Sequence, residues 1–346
     1  MEKKAKERVY YLDYLRVLAM FSVMIGHSAC RYWETVDVNS RSFVELNIYQ
    51  ALLRWAVPVF VMISGALFLN RNIALSKLYS KYILRMVTAF VVWTVFYAIV
   101  SKEGAYSFPF NLLYGHYHMW YIYMCIFLYM VSPLLNKLIC NYKWVKIFLI
   151  SVVTICFLGT QAIVMFGDFI SRDIAESTIA WKILYSRVGS SVDILGYLFY
   201  FVLGYHLNTV EIKKPVRIVM YVLGILGGIS TFWLDQIMTI NTQVACSTYY
   251  NAVTINILLQ SAAIFIFFKN IDFKKNAFIS KLAQYTFGAY LVHAFFIELL
   301  DRCYHINGFI VDAFVGCFFV GVLVMFLSYL VSFALNNMPV INKYIV

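Results

Sequence analysis

AFVGCFFVGVLVMFLSYLVSFALN, residues 313–336, contains no charged side chain, and the charge-free run continues to Asn342. A bilayer hydrocarbon core of about 30 Å is crossed by roughly 20 mostly apolar residues in a helix, so this stretch alone is long enough to span it. Working outward, comparable runs cover Gly104–Asn136, Ile147–Gly167 and Gln236–Phe268, and shorter ones follow Arg54, Arg85, Asp193, Arg217 and Lys281. The whole chain is 62% hydrophobic and 13% charged, with a mean hydropathy of +0.76, far outside ordinary soluble usage. These features predict an all-α polytopic membrane protein of about ten transmembrane helices. The helices are expected near 9–30, 47–69, 82–101, 118–136, 145–167, 190–209, 216–236, 249–268, 282–301 and 309–336. Residues 1–346 read as a single membrane domain.

The formal net charge of +11 is distributed by topology. Lysine and arginine crowd alternate connections: Lys3, Lys4, Lys6 and Arg8; Arg71 to Arg85; Lys137 to Lys146; Lys213 to Arg217; Lys269 to Lys281. The intervening connections are poorer, one of them holding only Lys102 and another only Arg302. By the positive-inside rule the richer side is cytoplasmic, which puts both termini inside. The excess charge therefore points to a lipid bilayer and away from nucleic acid. No cleavable leader is expected, because the first apolar stretch, Val9–Ala29, is long and contains Asp13, Arg16 and His27. The seven cysteines show no close pairing, with Cys246 and Cys303 the one pair that an oxidising outer side allows. No His-x-x-x-His or similar spacing supports a metal. The connections 30–46 and 168–189, polar and aromatic, are expected on the outer side over an acceptor site.

Ionisable residues inside a span are costly, so each one is a functional candidate. Arg16 and His27 are eleven residues apart, close to three helical turns, and project from one face at a separation of roughly 16 Å. Asp13, three residues before Arg16, is placed to pair with it. Histidine, with an ordinary pKa near 6.5, is suited to take a proton from an attacking hydroxyl, and arginine to bind phosphate or polarise a carbonyl. A snorkelling arginine and an interfacial histidine account for the same pattern.

The stretch LDYLRVLAMFSVMIGH, residues 12–27, resembles the opening of the integral-membrane acyltransferases of acyltransferase family three, whose signature is a basic residue, ten residues, then histidine. VPVFVMISGALFL (57–69), HMWYIYMCIFLYMVSPLL (118–135), YFVLGYHL (200–207) and YTFGAYLVHAFF (285–296) resemble later family segments in the same order. The resemblance implies that His27 is the catalytic base, with Arg16 and Asp13 supporting the acyl donor. It implies an acyl-CoA donor, acetyl-CoA first, met by Ser64, Gly65, Lys77, Lys81 and Arg85. Ser64 and Gly65 serve equally as a helix-packing notch, and the basic stripe equally as a topology signal. His118, Trp120, Tyr121 and His293 are expected at the acceptor, although belt anchoring explains Trp120 and Tyr121 as well, and a structural hydrogen-bonded role explains His293. His116, His206 and His305 read as loop or interface residues.

The expected protein is thus a membrane O-acyltransferase moving an acyl group from cytoplasmic acyl-CoA to a hydroxyl of a cell-surface or lipid-linked glycan. It is expected in a bacterial inner membrane, with a homo-oligomer as one option for its assembly. A transporter or flippase for a polysaccharide or lipid-linked sugar is the competing reading. It fits the spans and buried charges but has no use for a base and a cation on one stripe, and few Gly/Pro-broken helices are visible.

Overall fold

The computed structural model describes residues 8–71, 73–101, 110–169 and 175–346. Lys3, Lys4, Lys6, Lys102 and the side chains of residues 166–190 lie outside that description. The helices are α1 (Tyr10–Trp33), α2 (Arg41–Leu53), α3 (Ala56–Phe68), α4 (Leu75–Lys77), α5 (Leu84–Val100), α6 (Phe110–Tyr114), α7 (Trp120–Ile139), α8 (Tyr142–Val152), α9 (Thr160–Phe169), α10 (Ala175–Thr209), α11 (Lys214–Thr242), α12 (Ile255–Lys269), α13 (Ala277–Tyr304), α14 (Ala313–Asn336) and α15 (Pro339–Tyr344). Wider π-type turns at Leu78–Ile83 and Val153–Gly159 carry the chain without a break from α4 into α5 and from α8 into α9. The described residues form no strand, and seven helical segments are long and apolar enough to cross a membrane. The protein is an all-α polytopic membrane protein.

Each of the ten expected helices overlaps a helix of the structure, with several ends shifted: α11 runs on to Thr242 and α12 begins only at Ile255. The second expected helix is divided at Arg54–Trp55, and Pro58 supplies the reason: it has no N–H for the Arg54 carbonyl, so the ladder is interrupted between α2 and α3. The first polar connection is shorter than expected, because α1 runs to Trp33 and Ser40 starts α2 by accepting the Phe43 N–H at 3.1 Å. The second connection is helical from Ala175 onward, as part of α10.

The connections alternate between two faces of the bundle. At the basic face Tyr11 donates to Asn208 at 2.5 Å, Asn136 accepts from the Asn70 N–H at 2.9 Å, and Lys269 donates to the carbonyls of Leu207 and Val210 at 2.6 Å. At the opposite face Asn39 meets Gln243 at 2.8 Å, and Tyr49 donates to the Phe314 carbonyl at 2.6 Å.

α1 packs against α2, α3, α12, α13 and α14, which buries its polar residues as well as its apolar ones. It is tied to α13 at both ends. Asp13 accepts from Arg8 Nε at 2.7 Å and from Ser280 Oγ at 3.0 Å at the basic face, and Arg31 pairs with Asp301 at 2.7 Å at the other. Close backbone approach fixes the remaining helices. An added Cβ at Gly65 would lie 1.8 Å from the Phe201 carbonyl oxygen, and one at Gly204 2.0 Å from the Met62 carbonyl oxygen, so α3 and α10 touch backbone to backbone.

Candidate active site

Between these helices lies a cavity of about 310 Å³, lined from α1 by Arg16, Met20, Val23 and His27. Ser64 of α3, Arg85 of α5, and His118, Trp120 and Tyr121 at the start of α7 complete the walls with Gln284, Thr286 and Tyr290 of α13. Arg16 and His27 share a face of α1 because eleven residues make nearly whole turns, and that face is turned inward by the two polar ties to α13. The cavity therefore has arginines toward the basic face and histidines toward the other. Arg16 Nη1 reaches the Ala283 carbonyl at 3.5 Å; Arg85 donates to the Val346 carbonyl and lies over the Phe287 ring at 5.7 Å.

The hydrogen bonds around His27 specify its tautomer. His293, fully buried, has Nδ1 2.6 Å from the Tyr290 carbonyl oxygen. A carbonyl oxygen only accepts, so the proton is on His293 Nδ1, and in the neutral ring Nε2 is an acceptor. His27 Nδ1 lies 2.7 Å from that Nε2 and must donate to it. His27 Nε2 is left with its lone pair, on a residue that lines the cavity. The two rings stack with centroids 5.0 Å apart. A neutral imidazole held in this way is equipped to accept a proton there.

Other expected residues separate into those at the cavity and those away from it. Ser64 lines it, with its hydroxyl returned to the Phe60 carbonyl at 2.9 Å. Trp120 and Tyr121 line it, Trp120 remaining 43% exposed. Gly65 faces Phe201 of α10 and is a packing notch. Lys77 and Lys81 are exposed at the basic face and do not line the cavity, because α4 and its π-type continuation lie at the end of the bundle. Asp13 pairs with Arg8 and Ser280 in place of Arg16, since the register with α13 turns its carboxylate toward the bundle end. Cys246 and Cys303 are separate thiols.

Sequence reasoning missed two residues beside the histidines. His116, read as a loop residue, is buried, with Nε2 2.6 Å from Glu298 Oε1 and Nδ1 2.9 Å from His118 Nδ1. Glu298 is buried too and accepts from Ser101 Oγ at 2.7 Å. Their signals were a His-x-His pair just before a span and a carboxylate inside a helix, and neither indicates the other partner. Among the described residues no group of three or more histidine, cysteine, aspartate or glutamate side chains is arranged to hold a metal ion.

No curated protein and no solved structure matches the chain. The family model described as an acyltransferase domain matches residues 9–335, nearly all of a chain whose first helix turns a basic residue and a histidine into one cavity, and the protein belongs to acyltransferase family three.

Proposed function

We propose that this membrane acyltransferase transfers an acyl group, acetyl first, from cytoplasmic acyl-CoA to a hydroxyl of a cell-surface or lipid-linked glycan. The observation that carries the reading is the placement of His27 on the cavity wall with its Nδ1 2.7 Å from His293 Nε2 and His293 Nδ1 2.6 Å from the Tyr290 carbonyl, a pattern that assigns the lone pair to His27 Nε2. The acceptor oxygen attacks the thioester carbon as His27 Nε2 takes the hydroxyl proton. The carbon–sulfur bond breaks, and the coenzyme A thiolate leaves with the proton that His27 returns to it.

Arg16 and Arg85 line the cavity toward the basic face, where a phosphorylated donor arrives under positive-inside topology. Exposed Lys77 and Lys81 add positive potential for its phosphates. A volume at the small end of ligand pockets favours a short acyl group on an extended arm. The acceptor enters from the other face, where Trp120 and Tyr121 offer stacking surfaces and His118 a hydrogen bond. Our reading places the enzyme in a bacterial inner membrane with both termini inside.

Purified protein given labelled acetyl-CoA and an acceptor glycan is expected to lose turnover by about 10²–10⁴-fold on His27→Ala while its melting temperature is kept. Full activity in that variant rejects the base assignment.

A further inference from the structure

Glu298, His116 and His118 form a second chain of close polar contacts that ends at the same cavity: a 2.6 Å contact from the carboxylate to His116 and a 2.9 Å hydrogen bond from His116 to His118. Glu298 closes its far end, accepting from Ser101 at 2.7 Å, with Arg302 Nη1 3.7 Å away. His116 Nε2 sits 2.6 Å from that carboxylate, and its ring stacks on Tyr97 with centroids 4.3 Å apart. His118 is only 2% exposed and lines the cavity, and its Nε2 forms no geometrically satisfied hydrogen bond among the described residues, although the Leu291 carbonyl neighbours the ring. Its loop is held by Tyr290, whose hydroxyl donates to the His118 carbonyl at 2.5 Å.

The same donor and acceptor logic applies along this chain. A carboxylate only accepts, so His116 Nε2 carries a proton toward Glu298 and, in the neutral ring, His116 Nδ1 accepts. His118 Nδ1, 2.9 Å away, then donates, and His118 Nε2 keeps its lone pair. Both chains therefore end in the same way, and both terminal rings pack against His293, at 5.0 Å between centroids in each case.

Resting on the transferase reading above, we propose that His116 and Glu298 are positioning residues that hold His118 Nε2 as a second hydrogen-bond acceptor. The site then selects an acyl acceptor bringing two neighbouring hydroxyls, one to His27 and one to His118. An acceptor with a single hydroxyl leaves one buried imidazole nitrogen unpaired. A site built to bond a hydroxyl discriminates strongly against the analogue that lacks it.

Histidine-selective ¹⁵N NMR on the full chain in lipid nanodiscs tests the tautomer directly. His118 is expected to show a protonated Nδ1 and a bare Nε2 at neutral pH, and His116→Phe to move the proton to Nε2. The opposite tautomer in the wild type, with Nε2–H turned toward the neighbouring Leu291 carbonyl, overturns the proposal whatever the variants do. In the activity arm, acetyl transfer from acetyl-CoA to trans-1,2-cyclohexanediol is compared with transfer to cyclohexanol. The diol is expected to have at least a tenfold higher kcat/KM, a preference that His116→Phe abolishes; equal use of the two alcohols by the wild type counts against the inference. If neither alcohol is acylated, the NMR result decides. Turnover that survives His27→Ala sinks the transferase assignment and leaves the His118 tautomer standing. An Nε2-protonated His118 in an enzyme that His27→Ala inactivates sinks only the present inference.

Discussion

His27 owes its orientation to His293, a partner 266 residues away, and His293 owes its own to the backbone of Tyr290. A side chain held through a second one is sensitive to that second residue even where the latter never meets substrate. His293→Ala is accordingly expected to lower kcat by about 10-fold or more with little change in donor KM, because Nδ1 of His27 loses its fixed acceptor and the ring can present the wrong nitrogen. Steady-state kinetics with the donor varied separate the two constants. Arg85→Gln is expected to do the reverse, raising donor KM, if this cavity-lining cation meets the phosphorylated donor. The same titration carried out at rising ionic strength shows whether that contribution is screened. A donor KM that stays constant in Arg85→Gln removes this residue from the donor site.

At the scale of elements, the site depends on how closely helices approach one another. Gly65 and Gly204 let α3 and α10 meet at the backbone, and Ser64, the neighbour of Gly65, lies on the cavity wall as a result. Gly65→Ala puts a methyl group where the Phe201 carbonyl already is, so the helices must separate. Overpacking of this kind costs about 1–3 kcal/mol and is expected to lower the melting temperature in detergent, and with it activity. A melting curve unchanged in Gly65→Ala rules out the close contact. The ties of α1 to α13 set a second register, which brings His27 opposite His293. Asp301→Asn weakens the tie at the opposite face, because Arg31 loses its charged partner while Tyr32 and Asn307, which also donate to Asp301, keep an acceptor. A breakage confined to this end is expected to reduce turnover more than stability, as measured by kcat against melting temperature.

For the whole molecule, the alternation of basic and less basic connections predicts which face is cytoplasmic. Cys140 lies exposed at the basic face and Cys303 exposed at the other. In intact cells a membrane-impermeant maleimide is expected to label a single-cysteine chain that keeps Cys303 and to spare one that keeps Cys140; the reverse pattern inverts the topology and the side from which donor arrives. Cys246 is expected to react slowly at pH 7.5, since burial pushes its thiol up to about 11 and leaves little thiolate there. The all-α membrane class and the stripe shared by Arg16 and His27 were legible in the chain itself, because hydropathy and helical period act between residues close in sequence. Pro58 dividing one helix was legible in principle from the same local chemistry. The pairing of His27 with His293, the burial of His116 against Glu298, and the withdrawal of Asp13, Lys77 and Lys81 from the cavity were decided only by tertiary structure. Those relations join segments far apart in sequence, and the register between packed helices, which no single helix encodes, sets which polar side chains meet.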